Sequence, residues 1–96
     1  MALDIQHEDG SAKGGFFVLR DGGRIAEMTY VRTGPSAVTV DHTWTHDSLR
    51  GQGVARQLLD ALVGWARATH TRVKATCPYA LAQFTKDASI RDVYEG

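Results

Sequence analysis

Two glycines and an arginine stand directly before a segment with helical periodicity. Residues 50–55 read RGQGVA, in which Gly51 and Gly53 are separated by one residue. The N-terminus of a helix carries unpaired N–H groups and the positive end of the helix dipole, so it attracts anions. Glycine lets a ligand approach the backbone closely because it has no Cβ, and Arg50 adds a positive charge. The spacing alone fits a phosphate-binding loop, and it also fits a glycine-rich turn between a strand and a helix.

The loop differs from the two most familiar phosphate-binding motifs. A Walker A loop needs a Lys and a Ser or Thr after its last glycine, whereas Gly53 is followed by Val54. The dinucleotide-binding motif needs a third glycine or alanine where this chain has Arg56. Neither motif is therefore present.

Cys77 is the only cysteine of the chain. It lies at the predicted end of a strand, just before a helix that begins at Pro78 or Tyr79. A helix N-terminus favours a thiolate, which can act as a nucleophile toward an acyl group. The alternative is a small buried hydrophobic residue, as free cysteine most often is. A single cysteine cannot form an intramolecular disulfide, which fits a reducing compartment.

His42 lies within a predicted strand, and the alternation places it on one face with Val38, Val40 and Trp44. Such a histidine is either a hydrogen-bonded core residue or a general base.

No pair of candidate ligands has convincing metal spacing, so we predict no metal site. We predict that Leu58, Leu62, Trp65 and Phe84 are core residues and that Asp87, Arg91 and Asp92 are ordinary surface charges.

Hydrophobic periodicity predicts strands in the first half and a helix in the second. The predicted strands are 14–20, 24–32, 37–45 and 71–77, with a weaker one at Leu3–His7, and the predicted helices are about 53–69 and 78–87. The order β-β-β-β-α-β-α predicts an α+β, or mixed α/β, domain. Its sheet is mostly antiparallel with one parallel strand pair, a long helix follows the glycine loop, and a second, shorter helix follows the last strand.

Composition limits the class of protein. Ninety-six residues fit one domain, residues 1–96. Eleven basic and eleven acidic side chains cancel, which argues against nucleic acid or an anionic membrane as partner. The N-terminal sequence lacks the pattern of a signal peptide, and no apolar run is long enough to span a membrane. These features predict a cytoplasmic protein.

The glycine loop also resembles a family signature. RGQGVA resembles the Arg/Gln-x-x-Gly-x-Gly/Ala signature of the GNAT acetyltransferases, with Arg50, Gly53 and Ala55 in the defining positions. The longer stretch DHTWTHDSLRGQGVARQLLDALVGWAR, followed by CPYALAQF, is similar to the YjdJ-like group of minimal single-domain GNAT proteins. The resemblance extends from Gly15 to Tyr94, so it covers nearly the whole chain.

The resemblance implies an acetyl-CoA-dependent N-acetyltransferase that acts on an amine of a small molecule or a protein. It implies that backbone amides of residues 50–55 hold the pyrophosphate of acetyl-CoA, and that the pantetheine arm follows the strand 40–45 beside Cys77. It points to Cys77 and His42 as catalytic residues. The coenzyme contacts it implies are Thr43, Trp44, Thr45, Arg50, Gly51, Gln52, Gly53, Val54, Ala55 and Tyr79.

Two departures from the group concern the acceptor side and the surroundings of Cys77. Trp44 and Thr45 follow the His-Thr pair where the group usually has other residues, and Ala75 stands where a proline is frequent. The chain also lacks the two helices that larger members insert after their first strand and that often build the acceptor site.

Three functions therefore remain: an acetyltransferase, a coenzyme A-binding module with little or no turnover, and an interaction domain whose glycine turn binds nothing. For the enzyme, transfer is either direct or through an acetylated Cys77.

Overall fold

A computed structural model describes residues 4 to 95 of the chain. The strands are β1 (Ile5–Asp9), β2 (Lys13–Arg20), β3 (Gly23–Gly34), β4 (Ala37–Thr45) and β5 (Arg72–Ala75), and the α-helices are α1 (Val54–Thr69) and α2 (Pro78–Lys86). Short 3-10 helices span Asp47–Leu49 and Ala88–Val93. The weak strand predicted at Leu3–His7 corresponds to β1, and Leu3 itself lies outside the described residues.

The five strands form one sheet in the order β1-β2-β3-β4-β5. The pairs β1–β2, β2–β3 and β3–β4 are antiparallel, and β5 pairs in parallel with the first half of β4. The parallel pair is possible because α1 crosses between β4 and β5. This arrangement confirms the predicted α+β fold class.

The sheet has two unlike faces. On β3, Ala26, Met28 and Tyr30 are completely buried and face α1; we call this side the helix face. Residues 25, 27, 29 and 31 are only half-buried, and they lie on the opposite side, which we call the open face. The core between the helix face and α1 includes Leu58, Leu59, Leu62, Val63 and Ala66. Trp65, which we predicted to be a core residue, is half-buried at the edge of this cluster.

A β-bulge in β4 corrects the predicted faces of that strand. Tyr30 pairs with Val40 while Thr29 pairs with His42, so Asp41 is an extra residue that has no opposite residue in the ladder with β3. An extra residue reverses the alternation beyond it. Val40 is therefore buried on the helix face, whereas His42 is exposed on the open face. The same reversal places Trp44 on the open face and Thr43 on the helix face.

The C-terminal segment packs against the end of the sheet. Ile90 and Val93 are buried, and the Tyr94 ring stacks on Phe84 with 4.6 Å between centroids. Arg91, which we predicted to be a plain surface charge, donates from Nε to the Phe84 carbonyl at 2.7 Å. It therefore binds the last turn of α2 and ties the 3-10 helix to it.

The buried hydroxyl of Tyr30 connects β3 to the edge strand β1. It donates to Asp9 Oδ1 at 2.9 Å and lies 2.7 Å from Nε2 of His7. Asp9 also accepts two hydrogen bonds from Nη2 of Arg32, at 2.6 and 2.8 Å. This cluster holds β1, whose side chains are otherwise largely exposed.

We expect Tyr30→Phe to lower the free energy of unfolding by about 1–2 kcal/mol, because His7 and Asp9 each lose a hydrogen-bond partner in a partly buried site. Urea denaturation measures the difference. Tyr94→Phe is the matched control, since it removes the same atom from a ring that stacks elsewhere. An equal loss in both variants would contradict the assigned role of the Tyr30 hydroxyl.

Candidate functional site

The glycine loop has a backbone conformation that favours glycine at two positions. Gly51 and Gly53 have φ values of 79° and 72°, in the left-handed region where a Cβ costs about 1–2 kcal/mol. A Cβ at either position would meet no atom within 4 Å. Backbone conformation, rather than crowding inside the protein, is therefore the reason for glycine, and the space above the loop is open to a ligand.

The loop leads directly into the uncapped N-terminus of α1. Gly53 is the N-cap residue of this sixteen-residue helix. It has no side chain that could cap the first N–H groups. Gln57 donates its backbone N–H to the Gly53 carbonyl at 3.1 Å, which is the first hydrogen bond of the helix. The N–H groups of residues 54–56 precede that bond, and with the helix dipole they attract an anion.

A cleft of about 300 Å³ lies at this helix end. Its lining consists of Thr45, Leu49, Arg50, Gly51, Gly53, Val54, Ala55, Arg56 and Tyr79. Seven of these residues were predicted as coenzyme contacts from the sequence, whereas Leu49 and Arg56 were not. Gln52 was predicted as a contact, but its side chain donates to the Ser48 carbonyl at 3.0 Å. The structure therefore brings the end of β4, the loop and the start of α2 around one cleft.

Two arginines at the cleft differ in how firmly they are held. The Arg50 side chain is 75% exposed, and its Nε lies 3.1 Å from an Asp47 oxygen. Because an exposed ion pair contributes at most about 1 kcal/mol, Arg50 is free to turn toward a bound anion. Arg56 instead donates hydrogen bonds to Asp60, Gln83 and Asp87.

Beyond the parallel pair, β4 and β5 separate. Their ladder ends at the pair Val40 and Ala75, and the backbone N–H groups of Thr76 and Cys77 both donate to the Val40 carbonyl. From Asp41 onward, no strand of residues 4–95 pairs with β4 on the β5 side. An open strand edge can form backbone hydrogen bonds with an extended ligand, and this gap continues from the cleft beside Thr45.

Cys77 lies at the helix-face side of this gap. It is the N-cap residue of α2, it is only 4% exposed, and its Sγ lies 3.1 Å from Oγ1 of Thr43. Tyr79 follows in the first turn of α2 and lines the cleft. Burial raises the pKa of the Tyr79 hydroxyl, so this group stays protonated at neutral pH and can donate a hydrogen bond to a bound anion.

His42 lies on the other side of β4 from Cys77. Its side chain is 53% exposed, and Nε2 lies 3.4 Å from Oε2 of Glu27 on β3. Glu27 was not among the predicted site residues, because the pairing of β3 with β4 cannot be read from either strand alone. Trp44 is directly opposite Glu27 in the ladder and is 40% exposed. The predicted site residues thus form two groups, one on each face.

Among residues 4 to 95, no three His, Cys, Asp or Glu side chains lie close enough together to hold a metal ion. Within the same range, neither α-helix has the length and apolar character needed to cross a bilayer.

Comparison with known proteins identifies the family. The family model for GCN5-related N-acetyltransferases matches residues 15–93. The chain belongs to the GCN5-related N-acetyltransferase family. Family membership confirms the resemblance seen in the sequence. It also confirms the prediction that the protein is an N-acetyltransferase. Enzymes of this class take their acetyl group from acetyl-CoA. None of the curated proteins is significantly similar to the sequence.

Solved structures of the family agree with this fold. A GCN5-like N-acetyltransferase candidate from Staphylococcus aureus, studied by NMR, is 34% identical, with a TM-score of 0.74 over 95% of this chain and 88% of that chain. The ribosomal-protein-alanine N-acetyltransferase of Brucella melitensis is 22% identical, with a TM-score of 0.65 over 80% of this chain and 62% of that chain. Tetrahymena GCN5 is 11% identical, with a TM-score of 0.65 over 80% and 51%. The last two similarities concern the fold alone.

Proposed function

We propose that residues 1–96 act as one N-acetyltransferase domain in which the loop 50–55 holds the pyrophosphate of acetyl-CoA. The observation that carries the proposal is the pair of left-handed glycines at the uncapped N-terminus of α1. Their N–H-rich turn opens into the cleft that Thr45 and Tyr79 also line. Arg50 turns toward the pyrophosphate and supplies the opposite charge.

The gap between β4 and β5 is the proposed path of the pantetheine arm. The arm would lie along residues 40–45 of β4, where the ladder with β5 has ended at Val40 and Ala75. Thr43 and Cys77 stand together at this edge and would surround the thioester, which is the acetyl donor. Gln52 and Val54 contribute to the site through the backbone of the loop.

His42 is the proposed general base of direct transfer. It accepts a proton from the attacking amine, and Glu27 orients the imidazole. Because His42 is on the open face, we propose that the acceptor approaches from this side of the gap. Trp44 lies on the same face, so we now assign it to the acceptor side rather than to the coenzyme. The acceptor is an amine of a small molecule or of a protein chain.

A covalent route through Cys77 is the second candidate. Its support is the position of Cys77 as the N-cap residue of α2, at the end of the gap and beside Thr43. In this route the thiolate attacks the thioester carbonyl, the bond to the coenzyme sulfur breaks, and the amine then takes the acetyl group from Cys77. Direct transfer is the better supported route, because the polar group beside the thiol is the Thr43 hydroxyl and not the imidazole of His42.

An acceptor screen tests the proposal. The protein is incubated with acetyl-CoA and a mixture of amines, amino acids and lysine-containing peptides, while release of coenzyme A thiol is followed and acetylated products are identified by mass spectrometry. We expect release that depends on an amine. Coenzyme binding without release in any mixture would favour the binding module instead.

The unpaired thiol of Cys77 fits the reducing cytoplasm, where we place the activity, and we propose no membrane or nucleic-acid partner.

A further inference from the structure

Arg56 links the two helices that form the walls of the cleft. Its Nε donates to Asp60 at 2.9 Å and its Nη1 donates to Gln83 at 2.9 Å. Its Nη2 donates to Asp87, which follows α2 directly. Asp60 belongs to the same helix as Arg56, whereas Gln83 and Asp87 lie on the side of α2. The guanidinium is therefore a bridge between α1 and α2.

The bridge is placed where it controls the shape of the cleft. Arg56 lies in the first turn of α1, three residues after Gly53. Gln83 is four residues after Tyr79, so the two share one face of α2, and Tyr79 lines the cleft together with residues of the loop. Holding Gln83 therefore also holds the wall that carries Tyr79.

The charge of Arg56 is already neutralised. Asp60 and Asp87 are both bonded to it, and these contacts raise the pKa of the guanidinium, Asp87 contributing most. Asp87 is itself held firmly, because its Oδ1 accepts from the backbone N–H and the hydroxyl of Ser89. The Ser89 hydroxyl and then Arg56 lower the pKa of Asp87, so it remains a carboxylate at neutral pH. Asp87 is thus not the plain surface charge that we predicted.

We propose that Arg56 is a positioning residue, which sets the width of the coenzyme cleft by holding α2 against the first turn of α1 and does not itself bind the pyrophosphate. The inference rests on the proposed function of this cleft. Loss of the bridge leaves α2 free to move away from the loop. The affinity for acetyl-CoA then falls, while the reacting groups on β4 keep their places.

The variant Asp87→Asn distinguishes a positioning role of Arg56 from direct contact between Arg56 and the pyrophosphate. The two roles predict opposite changes in the dissociation constant for acetyl-CoA. Asparagine still accepts the hydrogen bonds from Ser89 and is a favourable cap residue, but it offers Arg56 no charge. If Arg56 positions α2, the dissociation constant for acetyl-CoA rises by about tenfold. If Arg56 binds the pyrophosphate, release from Asp87 makes the dissociation constant fall. We also expect KM for acetyl-CoA to rise while kcat stays near the wild-type value.

Asp60→Asn is the matched control. It removes the same charge from the same guanidinium, but the lost contact lies within α1 and does not hold α2. We expect near wild-type affinity, whereas direct phosphate binding by Arg56 predicts tighter binding in this variant too. Arg56→Lys cannot form the three-way contact, so it should reproduce the loss seen with Asp87→Asn.

The measurements are made in an order that distinguishes failure of the proposed function from failure of the proposed role of Arg56. Isothermal titration of the wild-type protein with acetyl-CoA comes first, and absence of binding there would overturn the proposed function. If the wild-type protein binds and folded Asp87→Asn binds equally well or more tightly, only the role of Arg56 is overturned. Circular dichroism is used to confirm that each variant is folded. If Arg56→Lys does not fold, the comparison of Asp87→Asn with Asp60→Asn is sufficient to test the proposal.

Discussion

Gly53→Val is expected to weaken acetyl-CoA binding by more than about tenfold, the equivalent of roughly 1.4 kcal/mol. Gly53 has a φ of 72°, which a β-branched residue adopts only with strain. The valine backbone will relax to a negative φ and turn the first N–H groups of α1 away from the cleft. Because a Cβ at this position meets no protein atom within 4 Å, the rest of the fold should be retained.

Gly64→Val is the matched control for this variant. Gly64 lies in the middle of α1, and a Cβ there also meets nothing within 4 Å, but its backbone is helical and tolerates any side chain. We expect unchanged coenzyme affinity and equal or slightly higher stability, since valine is a better helix former than glycine. Calorimetric titration of both variants gives the comparison. Wild-type affinity in a folded Gly53→Val protein would refute phosphate binding by the loop.

His42→Ala should lower the rate of acetyl transfer by about 100-fold at neutral pH, within the range that a general base contributes. The coenzyme affinity should not change, because His42 lies on the open face and the cleft is on the helix side of β4. Glu27→Gln should cause a smaller loss, since the imidazole remains. His70→Asn at the other end of α1 is the control, because asparagine tolerates the left-handed backbone that His70 adopts there.

Cys77 variants distinguish the two routes of transfer. The covalent route predicts one acetyl group on Cys77 after incubation with acetyl-CoA alone, and none in Cys77→Ser. Direct transfer predicts no acetylated protein, and it predicts that Cys77→Ser, which keeps a hydroxyl beside Thr43, retains most of its activity. A folded Cys77→Ala protein with full transfer would exclude the covalent route. We expect Cys77→Ala to lose part of its activity, because the thiol fills the end of the gap beside Thr43.

The sequence predicted the elements well because their signals are local. Alternating strands, the helical spacing from Val54 onward and the glycine loop are each contained in a short stretch, and the predicted strands and helices end within about two residues of the observed bounds. The cleft lining was also largely predictable, since most of it belongs to one loop and the start of one helix.

The sequence could not predict which face of β4 carries each side chain. The stretch 37–45 alternates without interruption, and nothing in it marks Asp41 as the extra residue. The bulge depends on the register with β3, and a shift of one residue moves His42 and Trp44 to the opposite face. Glu27 became part of the site through the same long-range pairing.

Arg56 illustrates a second kind of missed residue. In the sequence it only ruled out a dinucleotide motif, and Asp87 had no recognisable partner. The spacing of Arg56 and Asp60 is a helical ion-pair signal, but the contacts to Gln83 and Asp87 bring together residues about 30 positions apart. Such contacts appear only once α2 has packed beside α1.

In the proposed complex, acetyl-CoA binds to the loop 50–55 and to the gap between β4 and β5. The most direct measurement is an NMR titration of the wild-type protein with acetyl-CoA, in which amide chemical shifts report the contacts residue by residue. We predict saturable shifts at residues 50–55, from the pyrophosphate, and at residues 40–45 and 74–77, from the arm in the gap. Absence of binding, or saturable shifts elsewhere while these three segments stay unchanged, would contradict the account.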